Sequence, residues 1–277
     1  MPSAPGLALI GFMSEQQACH YLAQECECAN TDPAALIAEW IAAQARQGEA
    51  QANCGQPQIR DVPEDHQGHI QQVVNSPDWQ PIFANNPNWQ IKLVEAAPLL
   101  AYQFSVLDGA ATNHSTGFSA PPTLAELLNV CLPIAPTVDD YSVVQQPNSV
   151  LIRSRSLNVR PLHFGMVQPG CFMLQVGVSL PFVHVVRYNG RCYLHNGYHR
   201  AYAAMMAGAT EIPCVFRDVA TEAEIGLNPG TFDLGTLESA NAPTLNHFAG
   251  GQAHPVNLII KTRVMHLNWT DWIAPEI

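Results

Sequence analysis

Apolar positions in the first hundred residues recur mostly at helical spacing. In SEQQACHYLAQECE, Ser14 precedes the periodic run and Gln17 follows three positions later, the pattern of a capping box. In TDPAALIAEWIAAQARQ, Asp32 stands at the N-cap and Pro33 at the first helical position. Leu36, Ile37, Trp40 and Ile41 then fall on one face. A polar connector leads to a third helix around HQGHIQQVV, and PPTLAELLNVCLP predicts a short helix capped by Thr123. The segment LPIAPTVDDYSVVQQPNS gathers prolines and turn residues and reads as the boundary between two domains.

Beyond it the period shortens. SVLIRSRSL predicts a strand from Val150 to Arg153, and LQVGVSLPFVHVVRY contains another that ends at Asn189-Gly190. Asn-Gly between β-favouring runs is a strong hairpin signal, with RCYLH as the returning strand. GYHRAYAAMMAG predicts a helix closed by Gly208, EIPCVF a strand, and VNLIIKTRVMHLNW one more. The pattern implies an α+β chain. A mainly helical N-terminal region, residues 1–140, precedes a small mixed α/β domain, residues 145–277, with a C-terminal strand and loop extension.

Within the N-terminal region lies a short repeat, NSPDWQ and NNPNWQ, ten residues apart and present twice. Two copies do not make a solenoid. Asn-x-Pro-x-Trp marks two turns whose tryptophans seat on one core, with stacking on a peptide or a sugar as the alternative.

Charge narrows the choice of partners. Charged residues are 13% of the chain, against about 25% in an average protein, and the formal net charge is −11 with only two lysines, Lys92 and Lys261. Such a surface argues against non-specific nucleic-acid binding and against an anionic membrane. Seven of the ten arginines nevertheless lie between Arg153 and Arg217. That enrichment suits one small anion. The eight cysteines form no C-x-x-C pair, and Cys26 and Cys28 are spaced wrongly for a zinc knuckle. They read as reduced thiols. The N-terminus has no basic leader and too short an apolar run to span a membrane, so a cytoplasmic location is expected.

The densest chemistry is HNGYHRAYA. At Asn196-Gly197 a strand passes directly into a helix, whose first turn carries unpaired N–H groups and the positive end of the macrodipole. Gly197 would let an anion approach the backbone, and His199 and Arg200 can add side-chain donors. These are the parts of a phosphate site, although an inert corner with a solvated arginine has the same pattern.

GYHRAYAAMMAGATEIPCVF also resembles the Gly-x-His/Arg-Arg-x-x-Ala box of the ParB/sulfiredoxin-like superfamily. VHVVRYNGRCYLHN is similar to the hairpin that precedes this box, and SVLIRSRSL to the first strand and its arginine-bearing turn. The likeness covers about Ser149 to Asp218. It implies a small α/β fold in which the helix start binds nucleotide phosphates. Gly197, His199 and Arg200 match the box, flanked by Asn196 and Tyr198, and Arg153 matches the basic residue after the first strand. The implied ligand is a nucleotide (ATP, ADP or CTP, with Mg²⁺ where chemistry follows) or another small phosphorylated molecule. The implied activity is that of a nucleotide-dependent phosphotransferase or NTPase. The alternative is a non-catalytic module that engages a protein partner through its N-terminal helices. Tyr198 occupies the position of the sulfiredoxin cysteine, which argues against reductase activity. A kinase would need a carboxylate base, for which Asp139, Asp140 and Asp218 are the candidates by position.

Other constellations are weaker. A strand end and Gly197 separate His195 from His199, so the pair favours hydrogen bonding over metal. Glu64, Asp65, His66 and His69 read as a solvated helix start. Tyr202 is expected to pack on the sheet, and Tyr198 either to pack or to contact a base or ribose.

Overall fold

The structure is a computed structural model that describes residues 2–28, 31–48, 53–76, 79, 83, 88–134, 141–154, 159–178, 182–228 and 230–270. Its strands, in chain order, are β1 (Ser3–Ala8), β2 (Ile59–Asp61), β3 (Gln90–Glu95), β4 (Leu100–Ala101), β5 (Ser105–Leu107), β6 (Tyr141–Gln146) and β7 (Ser149–Ser154). There follow β8 (Val159–Gln168), β9 (Cys171–Val178), β10 (His184–Tyr188), β11 (Arg191–Asn196), β12 (Glu211–Asp218), β13 (His254–Ile259) and β14 (Arg263–Asn268). The helices are α1 (Glu15–Glu25), α2 (Pro33–Gln44), α3 (Gln67–Val74), α4 (Asp108–Ser115), α5 (Leu124–Cys131), α6 (Tyr198–Met206), α7 (Leu234–Glu238) and α8 (Leu245–Ala249). The fold class is α+β. Among the described residues no helix is long and apolar enough to cross a membrane.

The chain forms two compact units, one from Met1–Ala135 with Pro181–Ile259 and one from Pro136–Leu180 with Ile260–Ile277. This corrects the expected division into residues 1–140 and 145–277. The N-terminal region is no separate helical domain, because it supplies five strands. β2, β3 and β4 join a six-stranded sheet in the order β2-β3-β12-β10-β11-β4, while β1 sits between β13 and β5. Edge strands need partners for their backbone groups, and here those partners are distant in sequence. The tail predicted as one strand is two. β13 pairs with β1, and β14 pairs with β7 in the second unit.

The β10–β11 hairpin forms as its Asn-Gly predicts. Asn189 and Gly190 both have positive φ, 49° and 75°, and Tyr188 pairs with Arg191. β12 then lies parallel to β10, so the route from hairpin through α6 to β12 places the start of α6 at an end of the sheet's centre. Ile212 to Phe216 are all buried, as expected of a strand covered on both faces. Of the expected caps, Ser14 Oγ accepts from Gln17 N–H, and Thr123 and Glu126 form a reciprocal capping box; Asp32 makes no side-chain cap bond, and Pro33 opens α2.

The second unit holds a three-stranded sheet, β14-β7-β6, and the β8–β9 hairpin. Its outward side chains include Tyr141, Val143, Phe164 and Met166, all exposed.

Candidate functional site

The corner between β11 and α6 is built from the residues singled out in the sequence, and most of them are occupied in holding it. Gly197 has φ +91°, a conformation that costs any other residue strain. A Cβ there would stand 2.7 Å from Val183 Cγ2 and 3.0 Å from Val183 Cα. The glycine is needed for close packing on Val183, which occupies the side on which the sequence placed an approaching ligand. Asn196 Nδ2 donates to the Phe182 carbonyl at 3.2 Å. The Tyr198 hydroxyl, buried, accepts from the amides of Tyr102 at 2.9 Å and Gln103 at 3.2 Å. Burial pushes its pKa up, so it stays a neutral hydroxyl. His199 Nε2 accepts from Leu107 N–H at 2.9 Å, which puts the ring proton on Nδ1. Burial, and then the neighbouring Arg200 charge, lower its pKa to about 4. Tyr202, expected on the sheet, is buried with its ring 6.3 Å from that of Phe248 in α8.

A second layer, which the sequence reading missed, stands on the sheet beside this corner. His184 pairs across the hairpin with Asn196 and, on its other side, with Val215. Val215 pairs with Ile91 of β3. Alternation along the strands then places His184, Arg217 and Trp89 on one face. The Arg217 guanidinium lies 4.6 Å from the Trp89 ring centroid, and the His184 ring meets Trp89 at 5.7 Å and Phe83 at 5.3 Å. His184 Nε2 and Arg217 Nε are both enclosed with no hydrogen-bond partner. His184 stacks on His195 at 6.1 Å with the ring planes 15° apart. His195 Nδ1 lies 3.0 Å from the Ile225 carbonyl and 2.6 Å from Tyr102 Oη, and Tyr102 donates in turn to the His195 carbonyl. A carbonyl can only accept, so Nδ1 carries the His195 proton.

Two arginines act on the buried rings, and Arg217 is itself paired with Glu224 at 3.9 Å. Burial lowers the His184 pKa to about 3, helped by His195, Arg200 and Arg217, and burial with Arg200 and His199 lowers His114 to about 4. Burial and Arg217 lower His195. No carboxylate figures among the charges acting on His114, His184, His195 and His199. The field of Arg200 and that of Arg217 meet at His184.

The remaining candidates lie elsewhere or are already paired. Arg153 is an exposed residue of β7, in the second unit, and is not among the residues that the first unit gathers. Asp218 is held by Arg187 in a two-pronged pair at 2.5 and 2.9 Å, which leaves it poorly placed to act as a base. Asp139 and Asp140 lie outside the described residues. Glu224 is held by the backbone and hydroxyl of Thr221 and reaches Arg217 only at 3.9 Å. Among the described residues no three His, Cys, Asp or Glu side chains come together to hold a metal ion. Two clefts, of about 220 and 450 Å³, lie outside the corner, the first between α3 and the sheet and the second beside Phe232 and Asp233.

His184 had one faint signal, a polar residue inside the apolar run FVHVV. Arg217 belonged to the arginine-rich stretch, but only the parallel β10–β12 pairing shows that it lies near His184. Comparison with family models, curated proteins and solved structures gives no match.

Proposed function

We propose that this protein binds a small phosphorylated ligand, a nucleotide in the first instance, at the corner between β11 and α6. Arg200, Arg217 and His184 are its anion contacts, together with the first-turn amides of α6. The observation that carries the reading is the pair of enclosed, unpartnered nitrogens on one face of the sheet, Arg217 Nε and His184 Nε2, the latter a donor in the Nε2–H tautomer. Leaving such a group unsatisfied costs about 1–3 kcal/mol, which a bound oxygen would recover. The fields of Arg200 and Arg217 converge on His184 and favour that oxygen being anionic, with Glu224, 3.9 Å from Arg217, offsetting part of one of them. The GYHRAYA box, with its resemblance to the ParB/sulfiredoxin-like superfamily, supports a nucleotide as the source of the phosphate.

The role proposed is binding, because Asp218, the described candidate for a catalytic base, is held by Arg187. The eight free cysteines support a reducing, cytoplasmic compartment. Calorimetry with pyrophosphate, ADP, ATP and CTP tests the site. The wild type is expected to bind at least one of these. Arg217→Ala and Arg200→Ala are expected to weaken binding by roughly tenfold to a hundredfold, the worth of a hydrogen bond to a charged group. Absence of binding by any of the four to the wild type overturns the proposal.

A further inference from the structure

The two tryptophans of the Asn-x-Pro-x-Trp repeat end in the same place. Trp79 and Trp89 both line the cleft of about 220 Å³ between α3 and the sheet, with Ile70 and Val74 of α3 beside them and Asp61 and Gln67 at the rim. Each indole is braced from within. Trp79 meets Phe83 at 4.5 Å between centroids, and Phe83 meets Trp89 at 5.0 Å. The space far exceeds that of a single water but falls below the usual range for drug-sized ligands, and suits one ring system. Its lining is mixed: the two indoles, Val62, Ile70, Val74 and Ile91 are apolar, while the exposed Asp61 and Gln67 bring polar atoms, with Gln67 Nε2 donating to the Val62 carbonyl at 3.2 Å. Asp61 there is already paired with Lys92 at 2.6 Å.

We propose that this cleft binds a planar aromatic heterocycle, with the indoles of Trp79 and Trp89 against its faces and Gln67 at its polar edge. Trp89 connects the cleft to the anion contacts. The same ring that lines the cleft carries the Arg217 guanidinium at 4.6 Å and touches His184. A ligand with a ring at one end and a phosphate at the other therefore meets both along one face of the sheet, which is the chemistry of a nucleotide. In taking the ligand to be phosphorylated this rests on the anion reading above; the ring site itself does not.

Nucleosides and pyrophosphate separate the two halves. Adenosine and cytidine, which carry no phosphate, are titrated into the protein by saturation-transfer NMR and tryptophan fluorescence, and pyrophosphate by calorimetry. The variants are Gln67→Trp, which closes the cleft from an exposed position, and Trp89→Ala with Trp89→Phe as its conservative partner. A nucleoside is expected to bind the wild type, to be lost in Gln67→Trp, to weaken roughly tenfold in Trp89→Ala and to recover in Trp89→Phe. Pyrophosphate affinity is expected to be unchanged in Gln67→Trp. If pyrophosphate binds and neither nucleoside does, the ring site is refuted and the anion site stands. If a nucleoside binds but pyrophosphate does not, the ring site stands and the anion site falls. Nucleoside affinity unaltered by Gln67→Trp also refutes the assignment, since the ring then sits elsewhere. Thermal unfolding of each variant shows whether a loss reflects the site or the fold.

Discussion

Replacing Gly197 by alanine tests what the glycine is for. The added Cβ would meet Val183 Cγ2 at 2.7 Å and Val183 Cα at 3.0 Å. Val183 has little room to yield. It is fully buried, its N–H donates to the Cys131 carbonyl and its own carbonyl accepts from Val215 N–H, both at 2.8 Å. The methyl of Cγ2 can rotate away, but Cα is fixed by those two bonds. The left-handed backbone costs an alanine about 1–2 kcal/mol. Crowding in a packed core adds about 1–3 kcal/mol. Together they take about 2–5 kcal/mol from a stability that is typically about 5–15 kcal/mol. Gly190→Ala supplies the control. Gly190 also has positive φ, +75°, but a Cβ there would meet nothing within 4 Å, so it carries only the backbone cost. Urea denaturation followed by circular dichroism should place Gly197→Ala below Gly190→Ala by about 1–3 kcal/mol. Equal destabilisation of the two variants would refute the packing argument. Gly197→Ala with wild-type stability but no anion binding would show that the glycine serves the ligand instead.

Acid should destabilise the first unit through its buried rings. Burial holds His184 at about 3, with His195 and the two arginines assisting, and holds His247 at about 4 against a smaller raising effect of its bond to Thr244. Both folded values lie below the unfolded value of about 6.5, so this stability is fully present above pH 6.5 and is lost as pH falls toward 4. Each ring forfeits about 1.4 kcal/mol per pH unit in that window, so the two together cost on the order of 4 kcal/mol by pH 5. Urea midpoints at pH 7.5, 6 and 5 check this, and a flat profile contradicts it. Tyr198→Phe leaves the amides of Tyr102 and Gln103 without their acceptor and should cost about 1–3 kcal/mol. Hydrogen exchange should speed at those two amides, and unchanged protection there would show that the hydroxyl is not what holds them.

Much of the local structure was legible. Asn189-Gly190 announced its hairpin because few residue pairs take positive φ in succession, and Thr123 announced a helix start because a cap bond closes within four residues; the reciprocal bond from Glu126 came with the structure. Ser14 and Pro33 did the same for α1 and α2. The junction at Gly197 was also visible, but its use was not. The sequence shows that a glycine stands between strand and helix; it does not show that Val183 lies 2.7 Å from the missing methyl. Nor does it show that the hydroxyl of Tyr198 and the imidazole of His199 turn inward to hold the backbone of residues 102–107.

Turns, caps and the corner itself were determined by the sequence alone, because each rests on backbone preferences and bonds that close within a few residues. The partition of the chain, the union of β3 and β4 with β10–β12, and the meeting of Arg217, His184 and Trp89 were decided only by the tertiary structure. Those contacts join residues as far apart in the chain as Trp89 and Arg217, and strand register, which depends on the packing of the whole sheet, fixes which side chains share a face. HNGYHRAYA marked the corner; the fold brought Arg217 and His184, with an enclosed Nε and Nε2, to the sheet beside it.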